Sequence, residues 1–127
     1  MIDVNEDGWA EEVEGACLPV IVDFWAERCA TCRMMSMILT NLEKLYGDRF
    51  KFVRLNVDEA PQLASKHGIK GIPTVIIFKD GVETHRLIGV QPYQKMSQLL
   101  STFFSEDAVR KSMSEESSKG VDITQRN

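Results

Sequence analysis

The segment LPVIVDFWAERCATCRMM, Leu18 to Met35, decides the fold. Its first half, LPVIVDFW, is apolar at both parities except for Asp23, the pattern of a central strand covered on both faces. Its second half sets two thiols, Cys29 and Cys32, three positions apart where that strand gives way to a helix. From Cys29 onward Met35, Ile38, Leu39, Leu42, Leu45 and Tyr46 keep helical spacing as far as Gly47, with no proline between them. A strand running straight into a long helix predicts an α/β domain, and it puts both thiols at the junction where open α/β sheets collect their reaction sites.

Working outward, Glu6 to Gly15 places Trp9, Ala10 and Val13 at helical spacing, with Asp7 near the start and Gly15 as the stop. Downstream, FKFVRLNVD reads as a second strand, after which Asp58 and Pro61 open a short helix through Ala64 that His67-Gly68 closes. The run TVIIFK, the turn Asp80-Gly81 and VETHRLIG predict a β-hairpin, and Pro92 to Phe104 predicts a last helix bearing Met96, Leu99, Leu100 and Phe103. The order α-β-α-β-α-β-β-α implies a central mixed sheet of four to five strands flanked by helices, parallel at first and finished by an antiparallel hairpin. Residues 1–104 form one domain on this reading. Residues 105–127 are polar and rich in Ser, Glu and Lys, with too little apolar surface to offset chain entropy, which predicts a disordered or loosely helical tail.

Composition narrows the function. Of 127 residues 43% are hydrophobic, enough for one compact core and not for a second domain. Lys and Arg total 15 against 19 for Asp and Glu, a net charge of -4, and no basic cluster is present to neutralise a row of phosphates, so nucleic acid is not an expected partner. The N-terminus is acidic and lacks a basic leader followed by an apolar run, and runs such as VIIF are too short to span a bilayer. The expectation is a soluble cytoplasmic protein, monomeric by default. In such a compartment ordinary thiols stay reduced, so a close cysteine pair points to catalysis or metal binding rather than to a structural staple.

At spacing i, i+3 the two thiols share one face of the first helical turn, so a disulfide can close with little backbone movement. Free N–H groups and the helix dipole at that end favour negative charge, which predicts a partly ionised first thiol; the Arg28 guanidinium adds to this if it lies over the sulfur. These are the requirements of thiol–disulfide exchange, a sulfur that attacks and a second that resolves the mixed disulfide. The metal alternative needs two more ligands for a tetrahedral zinc. Only Cys17, His67 and His85 are left, none of them paired at ligand spacing, so no metal site is expected. Asp23, six residues before Cys29, has two readings: a carboxyl buried beside the thiols with its proton affinity raised, fit to take a thiol proton near neutral pH, or a strand-end side chain facing solvent. Pro73 also has two, since only about 5% of X-Pro bonds in folded proteins are cis and sequence by itself favours trans.

These landmarks together resemble a thioredoxin. VDFWAE-R-C-x-x-C, RLNVDEAP, HGIKGIPTVIIFKDG and a lone IGV before the last helix match that family in order and spacing over Trp9 to Phe104. The resemblance implies a thioredoxin-like fold and a protein dithiol–disulfide oxidoreductase serving electron transport and cell redox homeostasis. Cys29 would be the nucleophile, Cys32 the resolving thiol and Asp23 the buried acid/base serving Cys32. Ile72-Pro73 would be a cis peptide that presents the Ile72 backbone to an extended substrate segment, and Trp25, Arg28, Gly71, Ile72, Pro73 and Gly89 would line the substrate groove. No bound cofactor is implied. The electrons would come from a thioredoxin-reductase-like donor, a NADPH-dependent flavoprotein, and the partners would be disulfide-containing proteins.

Where thioredoxins usually carry Trp before the first cysteine and Gly-Pro between the two, this chain has Arg28, Ala30 and Thr31. Without proline the first turn regains an N–H able to bond a thiolate, so the expected potential is more oxidising than that of an ordinary thioredoxin. Arg54 stands where a lysine usually accompanies the buried acid, and in contact with Asp23 it would hold that carboxyl ionised. Met37 replaces a helix-kinking proline. The second class of function to weigh is a thioredoxin-fold binding or redox-switch module that holds a partner in the Ile72-Pro73 groove without general turnover. Among the remaining residues, Cys17 reads as a half-buried apolar filler, Met34, Met35 and Met37 as core, His67 as a cation at a helix stop and His85 as a solvated strand residue.

Overall fold

The computed structural model describes residues 1–103. Its elements are β1 (Ile2–Asp3), a π-helical turn (Ala10–Glu14), β2 (Val20–Trp25), α1 (Ala30–Tyr46), β3 (Lys51–Asn56), α2 (Pro61–Lys66), β4 (Thr74–Lys79) and β5 (Val82–Ile88). Residues 93–103 are helical and bury Met96, Leu100 and Phe103. The chain divides into two compact units, one from Met1 to Tyr93 and a second that begins at Gln94. The sheet, the thiols and the site residues belong to the first. The tail expected at 105–127 lies outside the described residues, as does Phe104. None of the described helices is long and apolar enough to cross a membrane.

Five strands form one mixed sheet in the order β1-β3-β2-β4-β5. Strands β1 and β2 run parallel to β3, while β4 runs antiparallel to β2 and to β5. Central β2 pairs along its length with β3 and β4, so its backbone polar groups are satisfied inside the sheet and its side chains are free to be apolar. Val20, Val22 and Phe24 face a cluster with Trp9, Val13, Val53, Leu55, Leu63 and Ile76. The opposite parity, Ile21 and Asp23, faces α1, as the Ser36 hydroxyl bonded to the Asp23 carboxylate shows.

Helix α1 forms because Met35, Leu39 and Leu42 supply a buried stripe, no residue breaks it, and Cys29 in extended conformation caps its start with a sulfur that accepts the Cys32 N–H at 3.1 Å. Leu45, read as part of that stripe, is exposed. The hairpin between β4 and β5 turns through Asp80 and Gly81, at φ 53° and 79°, a left-handed pair that Asp-Gly accepts at low cost and that matches the twist of the strands.

Two N-terminal details correct the sequence reading. Strand β1 was not expected, because two exposed residues carry no periodicity; it exists through pairing of Ile2 and Asp3 with Val53 and Arg54. The helix expected over Glu6–Gly15 is one wide turn, in which the Gly15 N–H reaches the Ala10 carbonyl at 2.8 Å.

Candidate functional site

Cys29 and Cys32 form a disulfide, with Cα atoms 5.2 Å apart at the start of α1. The two sulfurs are unlike. Cys29 is partly exposed in its capping position, whereas Cys32 is 1% exposed, on the helix's buried side. Around Cys29 Sγ gather the Cys32 N–H at 3.1 Å and the Thr31 hydroxyl at 3.3 Å; a disulfide sulfur has no proton, so Thr31 is the donor of that pair. Both donors, with the dipole of α1, favour negative charge on this sulfur once the bond is opened.

Arg28 is not part of that field. Its side chain is 88% exposed and turns to Asp58, 3.6 Å away, instead of lying over the sulfur.

Facing the thiols, the Ile72-Pro73 peptide is cis, against the bare base rate for X-Pro bonds. The Ile72 carbonyl oxygen is 4.0 Å from Cys29 Sγ. The segment is tied on both sides: the Thr74 hydroxyl donates to the Gly71 carbonyl at 2.6 Å, and the Gly89 N–H donates to the Pro73 carbonyl at 2.8 Å. Gly89 holds φ 85°, a conformation in which a side chain would be strained. Gly71 and Ile72 line an open groove of 440 Å³ with Val57, Pro61, Ala64 and Ile69. Trp25, whose carbonyl accepts the Val57 N–H at 2.9 Å, lines a polar depression with Asp3, Arg54, Asn56 and Glu59.

Asp23 is fully buried in the middle of β2, which removes the reading of a solvent-facing strand-end carboxyl. Burial pushes its carboxyl up to about 6, against the opposing pull of the Ser36 hydrogen bond and, more weakly, the Arg54 charge. Ser36 Oγ donates to Asp23 Oδ2 at 2.9 Å, while Oδ1 is buried without a hydrogen-bond partner. Arg54, its neighbour in register, makes no hydrogen bond to Asp23, so the contact on which the expected hold depended is absent and its charge only weakly favours the ionised carboxyl. The guanidinium lies over the Trp25 ring, its Cζ 3.9 Å from the centroid, with Nε 3.0 Å from Asp3 Oδ1, near enough for an ion pair but out of line for a hydrogen bond.

Other expectations are also revised. Met35 is buried, but Met34 and Met37 are 55% and 68% exposed on the outer side of α1. Cys17 is exposed and free, not half-buried filler. His67 caps α2, and there burial among Trp9, Phe24 and Phe78 lowers its affinity for a proton, with neighbouring Lys66 adding to the effect, which works against its reading as a cation. Sequence reasoning passed over Ser36 altogether, although a hydroxyl one turn after Cys32 on an apolar helix face was a signal that could be read. Among the described residues no group of three or more His, Cys, Asp or Glu side chains is placed to hold a metal ion.

With this geometry stands a match over residues 1–102 to the family model described as Thioredoxin. This chain belongs to the thioredoxin family. Its members are thiol–disulfide oxidoreductases, and in this chain Cys29 and Cys32 stand as a bonded pair three residues apart. Relatives include the chloroplastic M-type thioredoxin of Pisum sativum, 42% identical over 100 residues that cover 79% of this chain and 58% of the pea protein. Thioredoxin 1 of Nostoc sp. is 39% identical over 97 residues, covering 76% of this chain and 91% of the relative. The thioredoxin of Rickettsia bellii is 41% identical over 95 residues, 75% of this chain and 89% of the relative. The chain thus spans just over half the length of the pea relative and about nine tenths of the bacterial ones.

Proposed function

We propose that this protein reduces disulfides in protein substrates by dithiol–disulfide exchange, with Cys29 as nucleophile, Cys32 as resolving thiol and Asp23 as the base that serves Cys32. The asymmetry of the two sulfurs carries this reading: one is reachable and surrounded by donors, the other is buried on the side of the helix that faces a buried carboxyl. Cys29 thiolate attacks a substrate disulfide, forming a mixed disulfide and releasing one substrate sulfur as thiolate. Asp23 then takes the Cys32 proton, Cys32 attacks Cys29 Sγ, the Cys29–substrate bond breaks, and its electron pair leaves with the second substrate sulfur. Both electrons come from the two cysteines, so the reaction draws on no bound cofactor.

The oxidised pair is returned to the dithiol by a thioredoxin-reductase-like donor, on this reading a NADPH-dependent flavoprotein. The Ile72 backbone, tied in place beside Cys29, is the edge on which an extended substrate segment pairs, with Gly71, Pro73 and Gly89 shaping it and exposed Arg28 at its rim. A cytoplasmic setting and a monomer belong to the same reading, since a reducing compartment regenerates the pair and keeps the exposed Cys17 thiol free.

Reduction of insulin, followed with dithiothreitol as electron source, tests it. Turnover that is lost in both Cys29→Ser and Cys32→Ser, with Cys32→Ser accumulating a mixed disulfide, is the expected result. Equal rates for wild type and the double serine variant would leave a binding module in its place.

A further inference from the structure

Asp23 has only one hydrogen-bonding partner among the described residues, and it lies on the same helix as the resolving thiol. Cys32 and Ser36 are four residues apart on α1, hence on one face a turn apart, and that face is turned to β2. Cys32 is buried, Ser36 is half-buried, and the Ser36 hydroxyl donates to Oδ2 of Asp23 at 2.9 Å. The other carboxyl oxygen, Oδ1, is enclosed and unpaired. A carboxyl anchored at one oxygen and bare at the other presents the bare oxygen, with both its lone pairs free, as the readier proton acceptor.

We propose that Ser36 is a positioning residue of the exchange reaction: by holding Oδ2 of Asp23 it orients the carboxyl so that Oδ1 takes the Cys32 proton. This rests on the oxidoreductase activity proposed above. In the step concerned, the Cys32 S–H proton passes to Asp23, the Cys32 sulfur bonds to Cys29 Sγ, the Cys29–substrate S–S bond breaks, and the substrate sulfur leaves with the electron pair. A hydroxyl donor bonds the carboxylate better than the neutral acid, so Ser36 counters the burial that would otherwise keep Asp23 protonated. The remaining groups around Asp23 do not replace it. Arg54 from β3 is engaged with Trp25 and Asp3, the register partner of Asp23 on β4 is the apolar Val75, and the hydrogen bond that α1 supplies to the carboxyl is that of Ser36 itself.

The test pairs Ser36→Ala with Ser36→Thr, the second keeping a hydroxyl; alanine suits a helix interior, so the first is expected to fold. Carbon-13 NMR of the Asp23 carboxyl in the dithiol protein reads its titration directly. Ser36→Ala is expected to raise the midpoint by about one unit of pH, the loss of a hydrogen bond to a charged acceptor. Collapse of the mixed disulfide with insulin, sampled by acid quench and alkylation across pH, is expected to slow about tenfold below both midpoints, and Ser36→Thr to restore both readouts. An unmoved NMR midpoint, or a moved midpoint with an unmoved rate profile, overturns the role of Ser36. If the wild-type protein does not reduce insulin, the proposed activity itself fails, which the wild-type rate alone reveals.

Discussion

Asp23 is a carboxyl that folding takes out of water without giving it an ion pair at hydrogen-bond distance. Its folded proton affinity, raised from 3.8 to about 6, means that the folded chain binds this proton more tightly than the unfolded one. The sign follows: stability linked to Asp23 is fully present below about 3.8 and is lost as pH rises through about 6. Over that span the loss is about 3 kcal/mol, so Asp23→Asn should raise the unfolding free energy at pH 7.5 by about 2–3 kcal/mol and change it little at pH 4. Urea titrations at the two pH values check this. Thr31 has the opposite significance, since its hydroxyl at 3.3 Å from Cys29 Sγ favours the thiolate. Thr31→Val should make the potential of the pair more negative by about 20 mV, the equivalent of one modest hydrogen bond, in a titration against a thiol–disulfide buffer.

At the scale of elements, α2 ends on His67, which stacks 5.0 Å from the Trp9 ring and meets Phe78 edge-on. Arg86 of β5 holds that corner: it donates to the His67 carbonyl at 2.6 Å and to that of Gly68 at 3.3 Å while paired with Glu83. Burial lowers the His67 proton affinity, so the folded chain binds fewer protons there than the unfolded chain. Stability from this contact is therefore complete above the unfolded value of about 6.5 and is lost as pH falls below it through the lower folded one. Thermal melts at pH 7.5 and 5.5 should show a smaller drop for His67→Phe than for wild type, the Asp23 contribution being common to both. A helix stop was legible in HGIKGIP, but not the aromatic box around it: Trp9, Phe24 and Phe78 come from three separate segments.

At the scale of the whole molecule, the sheet brings the cap of α1 and the cis-proline corner, 43 residues apart in the chain, to within 4.0 Å. What distinguishes this site from one with proline at position 31 is the Thr31 hydroxyl, 3.3 Å from Cys29 Sγ, which adds to the Cys32 N–H that a proline there would leave in place. Those donors stabilise the reduced state, and the midpoint potential of the pair should lie above the roughly -270 mV of an ordinary thioredoxin. Alkylation of free thiols across a graded redox buffer measures it, and a value at or below that mark would remove the distinction.

The β2–α1 junction, the hairpin turn and the placement of the thiols were readable from local chemistry alone. Apolar runs at both parities, a CxxC followed by helical spacing, and Asp-Gly between two β-rich runs each dictate their own geometry within a few residues. The positions that only the tertiary structure decided are those whose state depends on distant partners. Strand β1 needs β3 to exist, and Arg54 is captured by Trp25 and Asp3. Met34, Met37 and Cys17 are exposed because nothing among the described residues folds over them, which no local pattern records. Asp23 is the clearest case. Its type and place in the strand were plain, yet its proton affinity comes from two covering layers and one serine hydroxyl, because desolvation is a property of everything packed around a charge and not of the charge itself.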